Sequence, residues 1–203
     1  MAAIKFGRRY DTFEVLNPLK GFVPERQRLE LRWEPLLGHI SLYNPGIEDG
    51  IKSFFSEADQ ALLECLAVES AGRCFFCPEC IKSTARFPEE FIAGGWLTSG
   101  EATLFPNIFA LALHHAVIAV SHAHWLPPSG FTPRLIRDAL ETAWNYTAAV
   151  NDIDREAAFA TFNANYLFPA GASILHPHFQ ILISHAPYTH QHRLLKACKT
   201  YLN

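Results

Sequence analysis

The sequence predicts an α+β domain with a mainly antiparallel sheet, one long helix that crosses it, and an N-terminal extension. Two short strand-like runs precede the clearest amphipathic helix of the chain, and two further strand-like runs follow it. This order of elements is typical of the α+β class. The 203 residues, 49% of them hydrophobic, are enough for one folded domain with a substantial core.

Residues 1–57 are expected to form the extension, which would pack on a main domain of residues 58–203. Turn-forming residues separate short strand-like runs there, such as the run from His39 to Tyr43. The turn signals are Asn17-Pro18, Lys20-Gly21 and Asn44-Pro45-Gly46. Hairpins built on these turns could cover the main sheet.

The main domain is predicted to begin with a short helix over Ala58 to Val68 that ends before Gly72. Its apolar residues recur at helical spacing and are Leu62, Leu63, Leu66 and Ala67. Two apolar runs then predict strands, from Ala102 to Phe105 and from Ala116 to Val120.

The long helix should begin at Pro133, because Thr132 can cap it and proline suits the first helical position. After it we expect a strand over Ala158 to Asn165, a loop over Pro169 to Ser173, and a final helix over Thr189 to Leu202. The helical period predicts a buried stripe of Leu135, Ile136, Ala139, Leu140, Ala143 and Trp144.

The charge and composition exclude several classes of function. The formal net charge is -3 and the sequence pI is about 6.3, so no basic surface favours nucleic-acid binding. No apolar run approaches the ~20 residues that cross a bilayer, and the segment from Met1 to Arg9 lacks the apolar core of a secretory signal. We therefore expect a cytoplasmic protein that acts on small molecules.

Five cysteines, an odd number, favour metal binding or free thiols over a disulfide framework. Cys74 and Cys77 have the two-residue spacing that lets both thiolates reach one tetrahedral ion. Cys80 forms a second Cys-x-x-Cys pair with Cys77. The alternative to a metal site is a group of reduced cysteines packed as small hydrophobic residues.

The most informative stretch is His176-Pro177-His178-Phe179-Gln180, which leads into an apolar run. Side chains alternate between the faces of a strand, so His176, His178 and Gln180 should project together. Such a polar row costs desolvation energy unless a metal, a phosphate or a covalent intermediate occupies it. The alternative is a pair of core histidines with satisfied hydrogen bonds. Surface or packing roles are expected for His114, His115, His185, His190 and His192.

This row and the upstream Cys74-Phe75-Phe76-Cys77 motif resemble the galactose-1-phosphate uridylyltransferase branch of the histidine-triad superfamily, over roughly residues 70 to 185. The resemblance implies a histidine-triad-like fold and a structural zinc ion. The third ligand in that family comes from a histidine just after a strand, and the fourth is the first histidine of His-Pro-His. The implied zinc ligands are Cys74, Cys77, His124 and His176, with His122 and Cys80 as alternative ligands.

The resemblance also assigns the residues that would act on a substrate. His178 is the expected nucleophile toward the α-phosphorus of a nucleotide, because a neutral imidazole attacks well when its other nitrogen is held as a donor. A second metal ligand is its alternative role. Gln180 is typical of the transferase branch, where its amide donates to phosphoryl oxygens. Nucleotide-binding roles are implied for Asn107, Phe109, Asn165 and Ser173, although an asparagine after a proline is also an ordinary turn residue.

We therefore expect a zinc-containing nucleotidyltransferase that moves a nucleoside monophosphate between a nucleotide sugar and a sugar 1-phosphate, as in galactose metabolism, through a covalent nucleotidyl-histidine. The second hypothesis is a phosphorylase of the same superfamily acting on an ADP-sugar or a dinucleoside polyphosphate. The third is a zinc-stabilised nucleotide-binding module without catalysis. The uridylyltransferases carry two tandem domains of this kind, so we expect a homodimer or a second domain in a longer chain.

Overall fold

The computed structural model of the protein describes residues 5–47 and 59–201. Helices and antiparallel sheets form it, so the predicted α+β class is confirmed. The described residues form two compact units, one of residues 5–47 with 188–201 and the other of residues 59–187. The C-terminal helix therefore belongs to the unit of the N-terminal strands, whereas the sequence analysis places it in the main domain. No described helix combines the length and the apolar character that a membrane crossing requires.

The predicted strands and helices all have counterparts, displaced by at most a few residues at their ends. Ala58 and Leu202, the predicted ends of two helices, lie outside the described residues. In chain order the elements are β1 (Gly7–Asn17), β2 (Val23–Trp33), β3 (Ile40–Tyr43), α1 (Gln60–Ala71), β4 (Leu97–Ser99), β5 (Ala102–Pro106), β6 (His114–Ala119), α2 (Pro133–Ile153), β7 (Phe159–Asn163), β8 (His178–Ser184) and α3 (Thr189–Tyr201).

The first unit contains a three-stranded antiparallel sheet in the order β1-β2-β3. The turn between β1 and β2 lies where the sequence predicts it. Asn17 caps a short 3-10 turn by accepting a hydrogen bond from the Leu19 N–H, and Gly21 ends the turn at φ 67°. Glycine adopts this left-handed conformation without steric cost, which explains its position after the turn.

The second unit is built on a five-stranded antiparallel sheet in the order β4-β5-β6-β8-β7. Helix α2 covers one face of this sheet, where it packs on β4, β5, β6 and β8. The core on that face includes Leu104, Ile118, Ile181, Ile183, Ala139 and Tyr146. A smaller apolar cluster lies on the other face and joins Phe105, Val117 and Ala119 to Phe76, Ile81 and Trp96. Because side chains alternate along β8, the same strand turns Ile181 and Ile183 toward the helix and His178 and Gln180 away from it.

The start of α2 is as predicted, and its buried stripe is predicted in part, because Leu135, Ala139 and Ala143 are buried and Ile136 is half-buried. Thr132 accepts a hydrogen bond from the Leu135 N–H, and Pro133 occupies the first turn. Leu140 and Trp144, predicted to be buried, are 48% and 75% exposed. The polar residues Asp138 and Thr142 lie on the buried face of the helix. Burial is tolerated because hydrogen bonds within the helix satisfy their polar groups; the Thr142 hydroxyl, for example, donates to the Asp138 carbonyl. The buried residues are Leu135, Asp138, Ala139, Thr142, Ala143, Tyr146 and Val150.

The predicted single row of His176, His178 and Gln180 is wrong in one respect. β8 begins at His178, so His176 lies just before the strand and is not a member of its alternating row. Pro177 separates them and has no N–H to donate to a neighbouring strand, although its carbonyl accepts from the Val120 N–H. The two histidines consequently face different surroundings.

Candidate active site

Four side chains from distant parts of the second unit converge on one point. Cys74 and Cys77 follow α1, His124 follows β6, and His176 precedes β8; one ligand atom from each lies within 4.8 Å of the others. The Cys77 Sγ is 3.3 Å from His124 Nδ1 and 3.6 Å from His176 Nδ1, and the Cys74 Sγ is 3.7 Å from His176 Nδ1. In a tetrahedral zinc site with ordinary bond lengths, sulfur and nitrogen ligands stand roughly 3.6 Å apart. The cluster therefore has the dimensions of a closed Cys2His2 metal site.

Hydrogen bonds on the far side of each imidazole present the correct nitrogen to the cluster. His176 Nε2 lies 2.8 Å from the Ser121 carbonyl and donates to it. His124 Nε2 lies 2.8 Å from the Ser70 hydroxyl, which itself donates to the Leu66 carbonyl and so accepts from the ring. With protons held on Nε2, both rings offer the Nδ1 lone pair to an ion.

Burial favours the neutral forms of Cys77, His124 and His176. It raises the pKa of the Cys77 thiol to about 12, and the nearby Cys74 sulfur adds to the effect. It also lowers the pKa of His176 to about 4 and lowers the pKa of His124. Two neutral imidazoles and two buried thiols form the ligand set that zinc prefers once the thiols lose their protons to the ion.

The alternative ligands named from the sequence lie outside this cluster. His122 is exposed, and its backbone N–H donates to the Glu101 carboxylate. Cys80 is half-buried, with its backbone N–H bonded to the Cys77 carbonyl, and it is not among the four clustered residues. The four ligands implied by the resemblance are thus the ones that the structure brings together.

A cavity of about 600 Å³ opens beside the cluster, on the sheet face opposite α2. Phenylalanine rings form much of its wall, and polar side chains from β8 and the adjacent loops face into it. The aromatic lining residues are Phe75, Phe76, Phe105 and Phe109. The polar lining residues are Ser83, Thr84, Asn107, Ser173, His178 and Gln180.

His178 is held in the orientation that a nucleophilic imidazole requires. Its Nδ1 lies 2.8 Å from the His176 carbonyl and donates to it, so the lone pair of Nε2 is left for the cavity. The side chain is only 8% exposed, and the ring of Phe76 lies 5.4 Å away, edge to face. Burial lowers the pKa of His178, against the opposing hydrogen bond to the backbone, so the ring is neutral at pH 7.

Four of the five residues predicted to contact the substrate line the cavity, and Asn165 does not. Asn107, Phe109, Ser173 and Gln180 line it. The Asn107 carboxamide oxygen accepts from the Phe109 N–H at 2.9 Å, which is a local turn bond. Asn165 is exposed and does not line the cavity; its role remains a prediction.

Sequence reasoning missed two side chains of this region. Ser70, on α1, contacts the ring of His124. His115, assigned to packing, is 4% exposed, and its Nε2 lies 2.8 Å from the Gln180 carboxamide oxygen. Its position two residues before Val117 on β6 indicates that His115 shares a sheet face with Val117. The pairing of Val117 with Gln180 on β8, which brings His115 near Gln180, cannot be read from the sequence.

No protein-family model matches the chain. Over 172 residues it is 30% identical to an uncharacterized protein of Archaeoglobus fulgidus, a match that covers 84% of this chain and 48% of that protein.

Solved structures extend the comparison. An ADP-glucose phosphorylase from Arabidopsis thaliana with bound ADP-glucose is similar with a TM-score of 0.52 and 17% identity, over 86% of this chain and 54% of that one. A GalT-like protein from Arabidopsis thaliana gives a TM-score of 0.48 and 19% identity, over 64% of this chain and 46% of that one. The chain thus spans about half the length of each of these three proteins. The likeness to the phosphorylase confirms the predicted histidine-triad-like α+β fold.

Proposed function

We propose that this domain is a nucleotidyltransferase that moves a nucleoside monophosphate between a nucleotide sugar and a sugar 1-phosphate through a covalent nucleotidyl-His178. The orientation of His178 carries the proposal. Its Nδ1 proton is committed to the His176 carbonyl at 2.8 Å, while its ring lines a cavity of about 600 Å³. A buried neutral imidazole with one nitrogen held as a donor and the other free is prepared for nucleophilic attack.

The proposed chemistry consists of two displacements. In the first, His178 Nε2 forms a bond to the α-phosphorus, the bond to the bridging oxygen breaks, and the sugar 1-phosphate leaves with the electron pair. In the second, a phosphate oxygen of the acceptor attacks the same phosphorus, and the electron pair of the P–N bond returns to Nε2. The imidazole is positively charged in the intermediate, and the His176 carbonyl that accepts from Nδ1 stabilises that charge.

The side chains around His178 supply the binding functions of such a reaction. The phenylalanines of the cavity offer apolar faces to a nucleobase, which stacks favourably on aromatic rings. Gln180 and the Ser173 hydroxyl provide neutral donors for phosphoryl oxygens.

Zinc fits the Cys2His2 cluster, because both imidazoles present Nδ1 and the sulfur to nitrogen distances suit a tetrahedral ion. When bound there, it would neutralise the two thiolates and hold the ring of His176. His176 in turn places the carbonyl that orients His178. The role of the metal is therefore structural, and His178 remains free of it.

A phosphorylase is the second candidate, because an ADP-glucose phosphorylase is among the structures similar to this chain. Its first half-reaction is the same, and inorganic phosphate then replaces the sugar 1-phosphate as acceptor. Gln180 and His178 would keep the same roles in both reactions.

Product analysis separates these possibilities. The protein is incubated with UDP-glucose, ADP-glucose or diadenosine tetraphosphate, each with galactose 1-phosphate or with inorganic phosphate, and the products are separated by ion-exchange chromatography. Consumption of galactose 1-phosphate supports the transferase, and consumption of inorganic phosphate alone supports the phosphorylase.

The matched variants for that assay are His178→Asn and His192→Asn. We expect the first to lose about 10³-fold or more in turnover, as for other covalent nucleophiles, while its zinc content and fold are kept. His192→Asn, on α3, should behave like the wild type. Nucleotide binding without turnover of any donor would replace the enzyme with a binding module, and loss of zinc from His178→Asn would make His178 a metal ligand.

A further inference from the structure

We propose that His115 is a positioning residue that fixes the carboxamide of Gln180 with its NH2 group toward the cavity. The consequence for catalysis rests on the proposed nucleotidyl transfer. The orientation itself follows from hydrogen bonds in the described residues and can be measured without any substrate.

The first step is the proton position on His115. The Leu111 backbone N–H donates to His115 Nδ1 at 3.0 Å. A backbone amide can only donate, so Nδ1 must be the acceptor, and the proton of the neutral ring lies on Nε2. A loop residue four positions upstream thereby selects the tautomer.

The second step is the direction of the next hydrogen bond. His115 Nε2 lies 2.8 Å from Gln180 Oε1, and with its proton in place the ring donates to that oxygen. If the carboxamide were turned around, the Gln180 NH2 group would face the His115 Nε2–H, and no hydrogen bond could form between these two donors. Gln180 Oε1 is therefore committed to His115, and its NH2 group is left for the cavity that the side chain lines.

The remaining neighbour of His115 Nε2 is a second amide nitrogen. Asn107 Nδ2 lies 3.2 Å from His115 Nε2, farther than Gln180 Oε1 at 2.8 Å, and because both nitrogens carry protons this contact is not a hydrogen bond and offers the Nε2 proton no other acceptor. The Asn107 Oδ1 is already occupied by the Phe109 N–H. Nothing among these contacts favours turning the Gln180 carboxamide around.

The composition of the cavity makes this orientation consequential. Among the described residues that line it, none is lysine or arginine. Phosphoryl oxygens must then be met by neutral donors, of which Gln180 is the one two residues from the nucleophile on the same strand face. Removal of one such donor from a charge-stabilising site typically costs about 10²- to 10³-fold in kcat.

Two substitutions at position 115 separate the two hydrogen bonds. His115→Asn keeps an acceptor close to the position of Nδ1 but removes the donor to Gln180. His115→Gln places an amide N–H near the position of Nε2 and keeps that donor. We expect His115→Asn to lower kcat by at least about tenfold with a smaller change in KM, and His115→Gln to restore most of the loss.

A Gln180→Ala background tests whether His115 acts through Gln180. There His115→Asn should have no further effect on kcat, because the group it positions is gone. Equal losses in both backgrounds, or an unchanged kcat for His115→Asn in the Gln180 background, would overturn the proposal.

A measurement on the unliganded wild type keeps the test independent of activity and of how the variants fold. Nitrogen-15 NMR of the histidine rings should find His115 protonated on Nε2, and a proton on Nδ1 would contradict the proposal. If no donor is turned over at all, the proposed function fails while the NMR result still decides the role of His115.

Discussion

The two nitrogens of each imidazole have different functions in this domain, and the groups behind the rings decide which is which. His124 and His176 donate from Nε2 to Ser70 and to the Ser121 carbonyl, and so present Nδ1 to the cluster. His178 donates from Nδ1 to the His176 carbonyl and so presents Nε2 to the cavity. In the proposed function, these backbone and hydroxyl acceptors leave His124 and His176 suited to bind a metal and His178 suited to attack phosphorus.

Ser70 gives this argument a direct test at the residue scale. Ser70→Ala removes the acceptor that holds His124 Nε2, and we expect zinc affinity to fall by about 10- to 100-fold. Ser184→Ala is the matched control, because Ser184 also donates to a backbone carbonyl but lies away from the cluster. Competition with a chromogenic chelator measures both affinities, and equal values for the two variants would remove Ser70 from the metal site.

The residues of the cluster and His178 were more predictable from the sequence than the residues that form hydrogen bonds with them. Cys74 and Cys77 are identified by their spacing, and His176 and His178 by their place before an apolar run. Ser70 and His115 have no such local signal, because their roles depend on which ring or amide lies opposite them after folding. Long-range hydrogen bonds of this kind leave no periodic trace in the sequence.

At the scale of secondary-structure elements, the end of α2 is joined to the sheet by one carboxylate. Asp154 follows the last turn of α2 and contacts His114 at the start of β6 and His185 after β8, each through Nε2 at 2.9 Å. The hydrogen bonds from His114 and then His185 lower the pKa of Asp154 from 3.8 to about 2.

A pH-dependent contribution to stability follows from that shift. A carboxyl group whose pKa is lower in the folded protein stabilises the fold above its unfolded-state pKa, and this contribution is lost as the pH falls through the folded value. Asp154→Asn should therefore lower the midpoint of urea unfolding at pH 5, and the difference from wild type should narrow between pH 4 and about 2. A difference that stays constant to pH 2 would show that Asp154 acts by packing rather than by charge.

Element boundaries were predictable, and burial within elements less so. Caps and prolines are local signals, which is why Thr132 and Pro133 identify the start of α2. The buried face depends on where the sheet lies, and hydropathy alone favoured Leu140 and Trp144 over Asp138 and Thr142, which the structure buries. Pro177 has no N–H to donate to a neighbouring strand. β8 therefore begins at His178, and its alternating row of side chains does not include His176.

At the scale of the whole molecule, the Cys2His2 cluster joins three segments of the second unit that are far apart in the chain. Cys74 and Cys77, His124, and His176 come from separate loops around the sheet. An ion that binds only the folded arrangement stabilises it by mass action, by about 2.7 kcal/mol when free metal exceeds the Kd 100-fold.

Removal of the metal tests that contribution. We expect a chelator to lower the Tm of the wild-type protein and added zinc to restore it, because zinc that binds only the folded arrangement of the four ligands stabilises that arrangement. Cys77→Ser should start at the lower Tm and ignore the chelator, whereas His122→Asn, outside the cluster, should respond like the wild type. A wild-type Tm that neither chelator nor zinc changes would mean that the cluster is a set of packed thiols and imidazoles.

The most direct measurement for the whole account is intact-mass spectrometry of the protein after incubation with a panel of nucleotide sugars and no acceptor. We predict a mass increase of one nucleoside monophosphate that is acid-labile, maps to the peptide containing His178, disappears when an acceptor is added, and is absent from His178→Asn. A complete absence of adduct across the panel, or an adduct that persists in His178→Asn, would contradict nucleotidyl transfer through this histidine.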